Sequence, residues 1–237
     1  MSIDLGTLQI FADGADREGI LALRDDPIIS GFTTNPTLMR AAGVSDYESF
    51  ALDLVALIPD RPISFEVFSD DDEAMFEQAL KIASWGEHVH VKIPITNTQG
   101  QSTADLQRRL GEHGVQLNVT ALLTVAQVEI VAHALREAPH AYVSVFAGRV
   151  ADTGRDPVPL MREALEALAD APHLELLWAS PREILNVVQA AEIGCPVITV
   201  THDLLKKLEL LGKDLHEFSL ETVQMFHRDA RLSGYSL

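Results

Sequence analysis

Short apolar runs rich in Val, Ile and Phe alternate with longer amphipathic stretches along the whole chain, and this alternation constrains the fold more than any other feature. The runs are LQIFAD ending at Asp13, GFTTN ending at Asn35, ISFEVF ending at Phe68, VHVKIP ending at Pro94, QLNVT ending at Thr120, AYVSVFAG ending at Gly148, LELLWAS ending at Ser180 and PVITVT ending at Thr201. Helical patterns follow them over 16–24, 46–57, 71–84, 103–113, 125–137, 159–169, 182–192 and 202–211. Ser45 and Ser102 read as N-caps, Pro159 suits a first helical turn, and Gly111, Gly114 and Gly194 sit near helix ends. Eight strand–helix units in 237 residues predict a parallel sheet closed into a (β/α)8 TIM barrel, one domain over 1–237. The alternative, an open doubly wound sheet, usually carries a Gly-rich phosphate loop after its first strand. FADGAD supplies neither G-x-G-x-x-G nor G-x-x-x-x-G-K-[ST]. A last amphipathic stretch at 219–231 predicts an additional C-terminal helix over about 217–233.

Charge and cysteine content narrow the function classes. With 18 Lys and Arg against 35 Asp and Glu, the formal charge of −17 argues against nonspecific binding to nucleic acid or an anionic membrane, because both require a positive face. Cys195 is the single cysteine, so no internal disulfide or cysteine-rich metal site is expected. The chain has no apolar run of membrane-spanning length and no basic, apolar leader, and it reads as a soluble cytoplasmic protein.

In a barrel of this kind the chemistry belongs at the C-terminal ends of the strands. There the sequence places Asp13, Thr33, Asn35, Glu66, Lys92, Asn118, Thr120, Ser144, Ser180 and Arg182, residues that a packed interior would reject. Period-two alternation puts Thr33 with Asn35, Asn118 with Thr120, and Lys92 with His90 and Pro94, so Lys92 faces inward if Val91 and Ile93 face the helices. Burying an unpaired ammonium is costly, and a low-polarity setting favours the neutral amine. Two readings follow: a structural ion pair of Lys92 with Asp13 or Glu66, or a nucleophile that forms a Schiff base with a ketone. Schiff-base cleavage of a carbon–carbon bond also needs a base and proton relays, which Asp13, Glu66 and Thr120 could supply. His90 and His202 are the histidines near the strand ends. No H-E-x-x-H is present, no metal site is expected, and His90 reads as a buried barrel histidine. The acidic run 70–73 reads as helix capping, and Trp85 and Trp178 as residues that pack or line a pocket.

FADGAD, GFTTNPTLMRAAG, ISFEV, VHVKIPIT, LNVTALLTVAQ, SVFAGRVADTGRDP and WASPREI together resemble, in order and spacing, the motifs of the transaldolase family, including its short subfamily and the fructose 6-phosphate aldolases. The resemblance covers nearly the whole chain. It implies a (β/α)8 barrel that transfers a dihydroxyacetone unit between sugar phosphates through a lysine Schiff base, without metal or organic cofactor. It further implies Lys92 as the Schiff-base lysine, Asp13 as the group that takes the donor C4 hydroxyl proton, and Glu66 with Thr120 as the pair that positions a proton-relaying water. Asn35 and Asn118 would hydrogen-bond the dihydroxyacetone moiety, with Thr33 and Ser144 lining its pocket. Arg149, Ser180 and Arg182 would grip the terminal phosphate, although an arginine in so acidic a chain is also readily paired to a surface acid.

Glu66 resembles the transaldolases, whereas the fructose 6-phosphate aldolases resemble them with glutamine at this position. An aldolase that releases dihydroxyacetone is the nearest alternative, and a sugar-phosphate-binding barrel without turnover is the non-enzymatic one. Leu123, Thr124, Val145, Ala147 and Pro181 depart from the family pattern near the anion end, which admits a sulfonated or otherwise modified ketose as donor. The family resemblance also implies a homo-oligomer, a pentamer or decamer. Its C-terminal helix would pack on a neighbouring subunit, and the alternative is that this helix covers its own barrel.

Overall fold

The computed structural model describes residues 4–235. Eight parallel strands close in sequence order into a barrel. They are β1 (Gln9–Asp13), β2 (Ile29–Thr33), β3 (Ile63–Glu66), β4 (Val89–Pro94), β5 (Leu117–Leu122), β6 (Ala141–Val145), β7 (Leu174–Trp178) and β8 (Val197–Thr201). Around them run α1 (Arg17–Arg24), α2 (Pro36–Ala41), α3 (Tyr47–Leu57), α4 (Asp72–Ala83), α5 (Ala104–Glu112), α6 (Val125–Ala134), α7 (Ala147–Asp152), α8 (Pro157–Ala167), α9 (Leu185–Glu192) and α10 (His202–Leu205). A 3-10 turn at Leu208–Leu210 precedes α11 (Leu215–Leu232).

The main core lies between the strands' outward side chains, such as Phe65, Val91, Ile93, Val119 and Trp178, and the helices. A second cluster of Phe11, Tyr142, Leu177, Ala179 and Val197 fills the barrel interior. Phe11 and Tyr142 meet edge-to-face at 5.3 Å across it. Gly31 is the register partner of Phe11 on β2, and a Cβ there would lie 2.7 Å from the Phe11 ring. This plug closes the barrel beneath its C-terminal mouth, so polar groups above it face a pocket rather than a channel. Lower still, His90 Nε2 lies 3.2 Å from His140 Nδ1, and His140 Nε2 lies 2.8 Å from Glu175. Burial pushes the His90 pKa down to about 3 and keeps the ring neutral, the buried barrel histidine expected from its strand position.

Several boundaries differ from the sequence-based expectation. Asn35 lies beyond β2 and serves as N-cap of α2, its Oδ1 accepting from Leu38 N at 2.9 Å, so it does not share a strand face with Thr33. The run ending at Gly148 is strand only to Val145 and turns into α7. Asp46, not Ser45, caps α3, and Thr103 occupies the cap position of α5 beside Ser102. Pro157 rather than Pro159 starts α8. Gly111 lies inside α5, where a Cβ would meet Ala138 Cβ at 2.7 Å, whereas Gly114 and Gly194 do take positive φ. The helix expected from Arg182 begins at Leu185, and the one expected over 202–211 divides into α10 and the 3-10 turn. The acidic run behaves as a cap: Asp71 accepts from Ala74 N, while Asp70 holds Thr98.

Candidate active site

The C-terminal mouth of the barrel opens into a cavity of about 490 Å³. Asp13, Thr33, Asn35, Glu66, Lys92, Asn118, Thr120, Ser144, Arg149, Ser180 and Arg182 all line it, so every residue picked from the sequence comes to one place. Strand register explains the convergence. Asp13 pairs with Thr33 and Thr201, Glu66 with Lys92, and Lys92 with Asn118, which sets these side chains side by side on the inner face.

Lys92 is buried, and its Nζ donates to the Thr34 carbonyl at 2.9 Å. The same nitrogen stands 3.5 Å from the Glu66 carboxylate, whose side chain keeps 21% exposure toward the cavity. Of the two acids considered for pairing with Lys92, Glu66 is the one in ion-pair range. Asp13 interacts with Lys92 through charge without forming such a pair, and it accepts from Thr33 Oγ1 at 2.8 Å. Burial pushes the Asp13 carboxyl above the usual carboxylate range, against the downward pull of Lys92, the Thr33 hydrogen bond and His202. Asn118 is tied on both sides: its Nδ2 donates to Ser64 Oγ at 3.0 Å and its Oδ1 accepts from Ser144 Oγ at 2.6 Å. Thr120 Oγ1 is buried without a partner among the described residues, although it lines the cavity. The next residue, Ala121, takes φ of 67° where the β5–β6 register breaks. A left-handed alanine is strained, and the bulge sets Thr120 at the rim.

The opposite rim is cationic. Arg149 on α7 is exposed and lies 5.7 Å from the Phe146 ring. Arg182 binds Asp152 at the end of α7 through Nε, at 2.9 Å, and through Nη2. Arg182 thus stands on the rim and is paired with an acid. Both partners are about half exposed, so solvent screens the pair. Ser180 takes φ of 60°, and a Cβ on Gly148 would lie 1.6 Å from the Ser180 carbonyl oxygen. Only glycine permits α7 to sit so close to the β7–α9 loop. Gly148→Ala is expected to cost about 3 kcal/mol of folding stability by overpacking. A lowered urea midpoint at unchanged slope checks this; an unchanged midpoint would contradict the close approach.

Sequence reasoning missed four contributors. Thr199 and Thr201 also line the pocket, and their period-two spacing in PVITVT carried a usable signal. Tyr47 and Asp152 had none: the Tyr47 hydroxyl exchanges hydrogen bonds with the Glu66 main chain, 19 residues away, and Asp152 binds Arg182, 30 residues away. Among the described residues, no cluster of three or more His, Cys, Asp or Glu side chains is arranged to hold a metal ion. No helix is long and apolar enough to cross a membrane, again among the described residues.

Residues 10–234 match the family model described as Transaldolase/Fructose-6-phosphate aldolase. A protein named "Probable transaldolase" from Dehalococcoides mccartyi is 34% identical over 202 residues, covering 85% of this chain and 90% of its own. Its namesake in Methanococcus maripaludis is 32% identical over 202 residues, with 85% and 89% covered. Another, from Nitrosopumilus maritimus, is 32% identical over 203 residues, with 85% and 87% covered. Solved structures share the fold at low identity. A native KDPGal structure aligns with TM-score 0.53 at 13% identity, covering 92% of this chain and 96% of that one. A mandelate oxidase crystallised with benzoyl-formic acid aligns with TM-score 0.56 at 15% identity, covering 89% and 72%. A barrel whose sequence follows the family model from its first strand to its last helix belongs to the transaldolase/fructose-6-phosphate aldolase family.

Proposed function

We propose that this chain is a transaldolase, moving a dihydroxyacetone unit from a ketose phosphate to an aldose phosphate through a Schiff base on Lys92. One observation carries the reading: a buried lysine ammonium, 3.5 Å from Glu66, lines the same open pocket as Asp13. In the proposed sequence Glu66 takes a proton from the Lys92 ammonium, the freed amine attacks the ketose C2 carbonyl, and loss of water gives an iminium ion. The Asp13 carboxylate takes the C4 hydroxyl proton as the C3–C4 bond breaks, and the aldose phosphate departs. The electron pair rests on the enamine, whose C3 then attacks the acceptor aldehyde as Asp13 returns its proton to the new C4 oxygen, and hydrolysis frees Lys92. Glu66 and Thr120 would hold the water that carries protons during addition and loss of water. The orphaned Thr120 hydroxyl supports that role, since it can still donate and accept. Asn35 and Asn118, with Thr33 and Ser144, would orient the donor's hydroxyls. Arg149, Ser180 and Arg182 would bind the terminal phosphate.

Glu66 favours transfer over simple release, because a carboxylate can accept and return protons where an amide can only hydrogen-bond. Product analysis with fructose 6-phosphate tests this. Turnover that requires an acceptor aldose phosphate is expected, and steady release of free dihydroxyacetone without one would reassign the chain to the aldolase branch.

We also read α11 as an assembly element docking on a second copy of the chain, in a cytoplasmic homo-oligomer. None of its residues is buried, and Phe218, Val223, Phe226 and Leu232 lie open, so it does not cover its own barrel. The expected result is a sedimenting species larger than 26.0 kDa that shrinks on Phe226→Glu substitution. A monomer in the unsubstituted protein would contradict it.

A further inference from the structure

Between β2 and β3 the ladder of hydrogen bonds stops one rung short of the site. Phe32 N–H donates to the Pro62 carbonyl at 2.8 Å and Thr34 N–H to the Ser64 carbonyl at 3.2 Å. By the regular parallel pattern, the next rung would join Glu66 N–H to the Thr34 carbonyl. Both groups are engaged elsewhere. Glu66 N–H donates to the Tyr47 hydroxyl at 2.9 Å, and that hydroxyl donates to the Glu66 carbonyl at 2.7 Å. The Thr34 carbonyl accepts from Lys92 Nζ at 2.9 Å. One phenol oxygen thus satisfies both main-chain groups of Glu66 on its open side, and the carbonyl left over holds the lysine.

The tyrosine is itself held rigidly. It is the first residue of α3, whose N-cap Asp46 accepts from Ser49 N at 3.0 Å. Its ring lies 6.5 Å from Phe65, 6.0 Å from Trp85 and 5.6 Å from Phe68. Burial raises the phenol pKa, which preserves the proton it donates. A phenol fixed in an aromatic cluster is a stiff spacer between two strands.

We propose that Tyr47 is a positioning residue for the lysine chemistry: its hydroxyl replaces the missing rung, fixes the Glu66 backbone, and reserves the Thr34 carbonyl for Lys92. The proposal rests on the reading of Lys92 and Glu66 given above. Without the hydroxyl, β3 either closes on β2, taking the Thr34 carbonyl from Lys92, or keeps two unpaired main-chain groups. Each outcome moves Glu66 relative to Lys92, and small displacements of reacting groups are expensive in rate.

Tyr47→Phe removes one oxygen and keeps the ring. The expected result is a kcat lowered about tenfold with KM within about twofold, and equally slowed borohydride trapping of the fructose 6-phosphate adduct. In a Glu66→Gln background the same change should cost less than it does beside Glu66, because the share of the effect that runs through the carboxylate is already lost. A kcat equal to that of the unsubstituted enzyme overturns the proposal. So does an undiminished loss in the Glu66→Gln background, which would mark Tyr47 as merely structural. Should Tyr47→Phe not fold, 3,5-difluorotyrosine at position 47 keeps ring and hydroxyl while weakening the oxygen as an acceptor; a smaller loss of kcat at constant KM is expected, and none overturns the role. If the unsubstituted protein forms no borohydride-trapped adduct with any ketose, the lysine chemistry itself fails and this proposal with it. An adduct that forms at the same rate with and without the hydroxyl overturns the positioning role alone.

Discussion

Lys92→Met is expected to lower transaldolase turnover by at least about 10⁴-fold, with the folded barrel retained. Methionine keeps an unbranched stem of similar reach, so the wall between Glu66 and Asn118 stays filled, while the amine proposed to form the imine is gone. The carboxylate left behind is not stranded, since the Glu66 side chain is 21% exposed toward the cavity and can be hydrated. Loss of activity should therefore come without loss of circular dichroism or a large drop in melting temperature. Residual turnover within tenfold of the unsubstituted enzyme would remove Lys92 from the chemistry.

The second large effect concerns Asp13. Asp13→Asn is expected to cost about 10²–10⁴-fold in kcat, the usual worth of a positioned acid–base group. In the proposed mechanism its ionised form takes the C4 hydroxyl proton, and burial raises its pKa. The acidic limb of kcat/KM should accordingly lie above the ordinary carboxylate range, and activity should rise as pH climbs through it. The stability sign is the opposite. A carboxyl whose pKa is raised on folding binds its proton more tightly in the native state, so its contribution to stability falls as pH rises between the unfolded and folded pKa values. Asp25, Asp46, Asp53, Asp70, Glu73 and Asp152 have lowered values and lose their contributions as pH falls. Asp13→Asn should remove only the first dependence. A kcat/KM profile whose acidic limb is unmoved from the ordinary range would contradict the environment assigned to Asp13.

The eight strands were legible because each is buried on both faces and so reads as a dense apolar run, bounded by polar or glycine-rich turns. The short helices were not. α2 begins at Pro36 directly after Asn35, and its six residues are too few to show a helical period. α7 starts within FAGRV, whose apolar letters extend the strand pattern of β6, and only the packing of Gly148 on Ser180 reveals the turn. The inward side chains Asp13, Glu66, Lys92, Asn118 and Thr120 were legible because a polar residue at a strand end breaks the apolar pattern at a known phase. The partners that hold them were not, because the pairing of Thr34 with Lys92 spans 58 residues and exists only once the barrel closes. Arg182 shows the same divide: its type and rim position were readable, and its salt bridge with Asp152 was not.

The central claim is a covalent bond between Lys92 and a ketose, and borohydride reduction tests it most directly. The protein would be reduced in the presence of fructose 6-phosphate, weighed intact and mapped by peptides, with Lys92→Met alongside. The expected result is a single dihydroxyacetone-derived addition on the peptide carrying Lys92, absent from the variant. No addition with any ketose offered, or an addition on another lysine that persists in Lys92→Met, would contradict it.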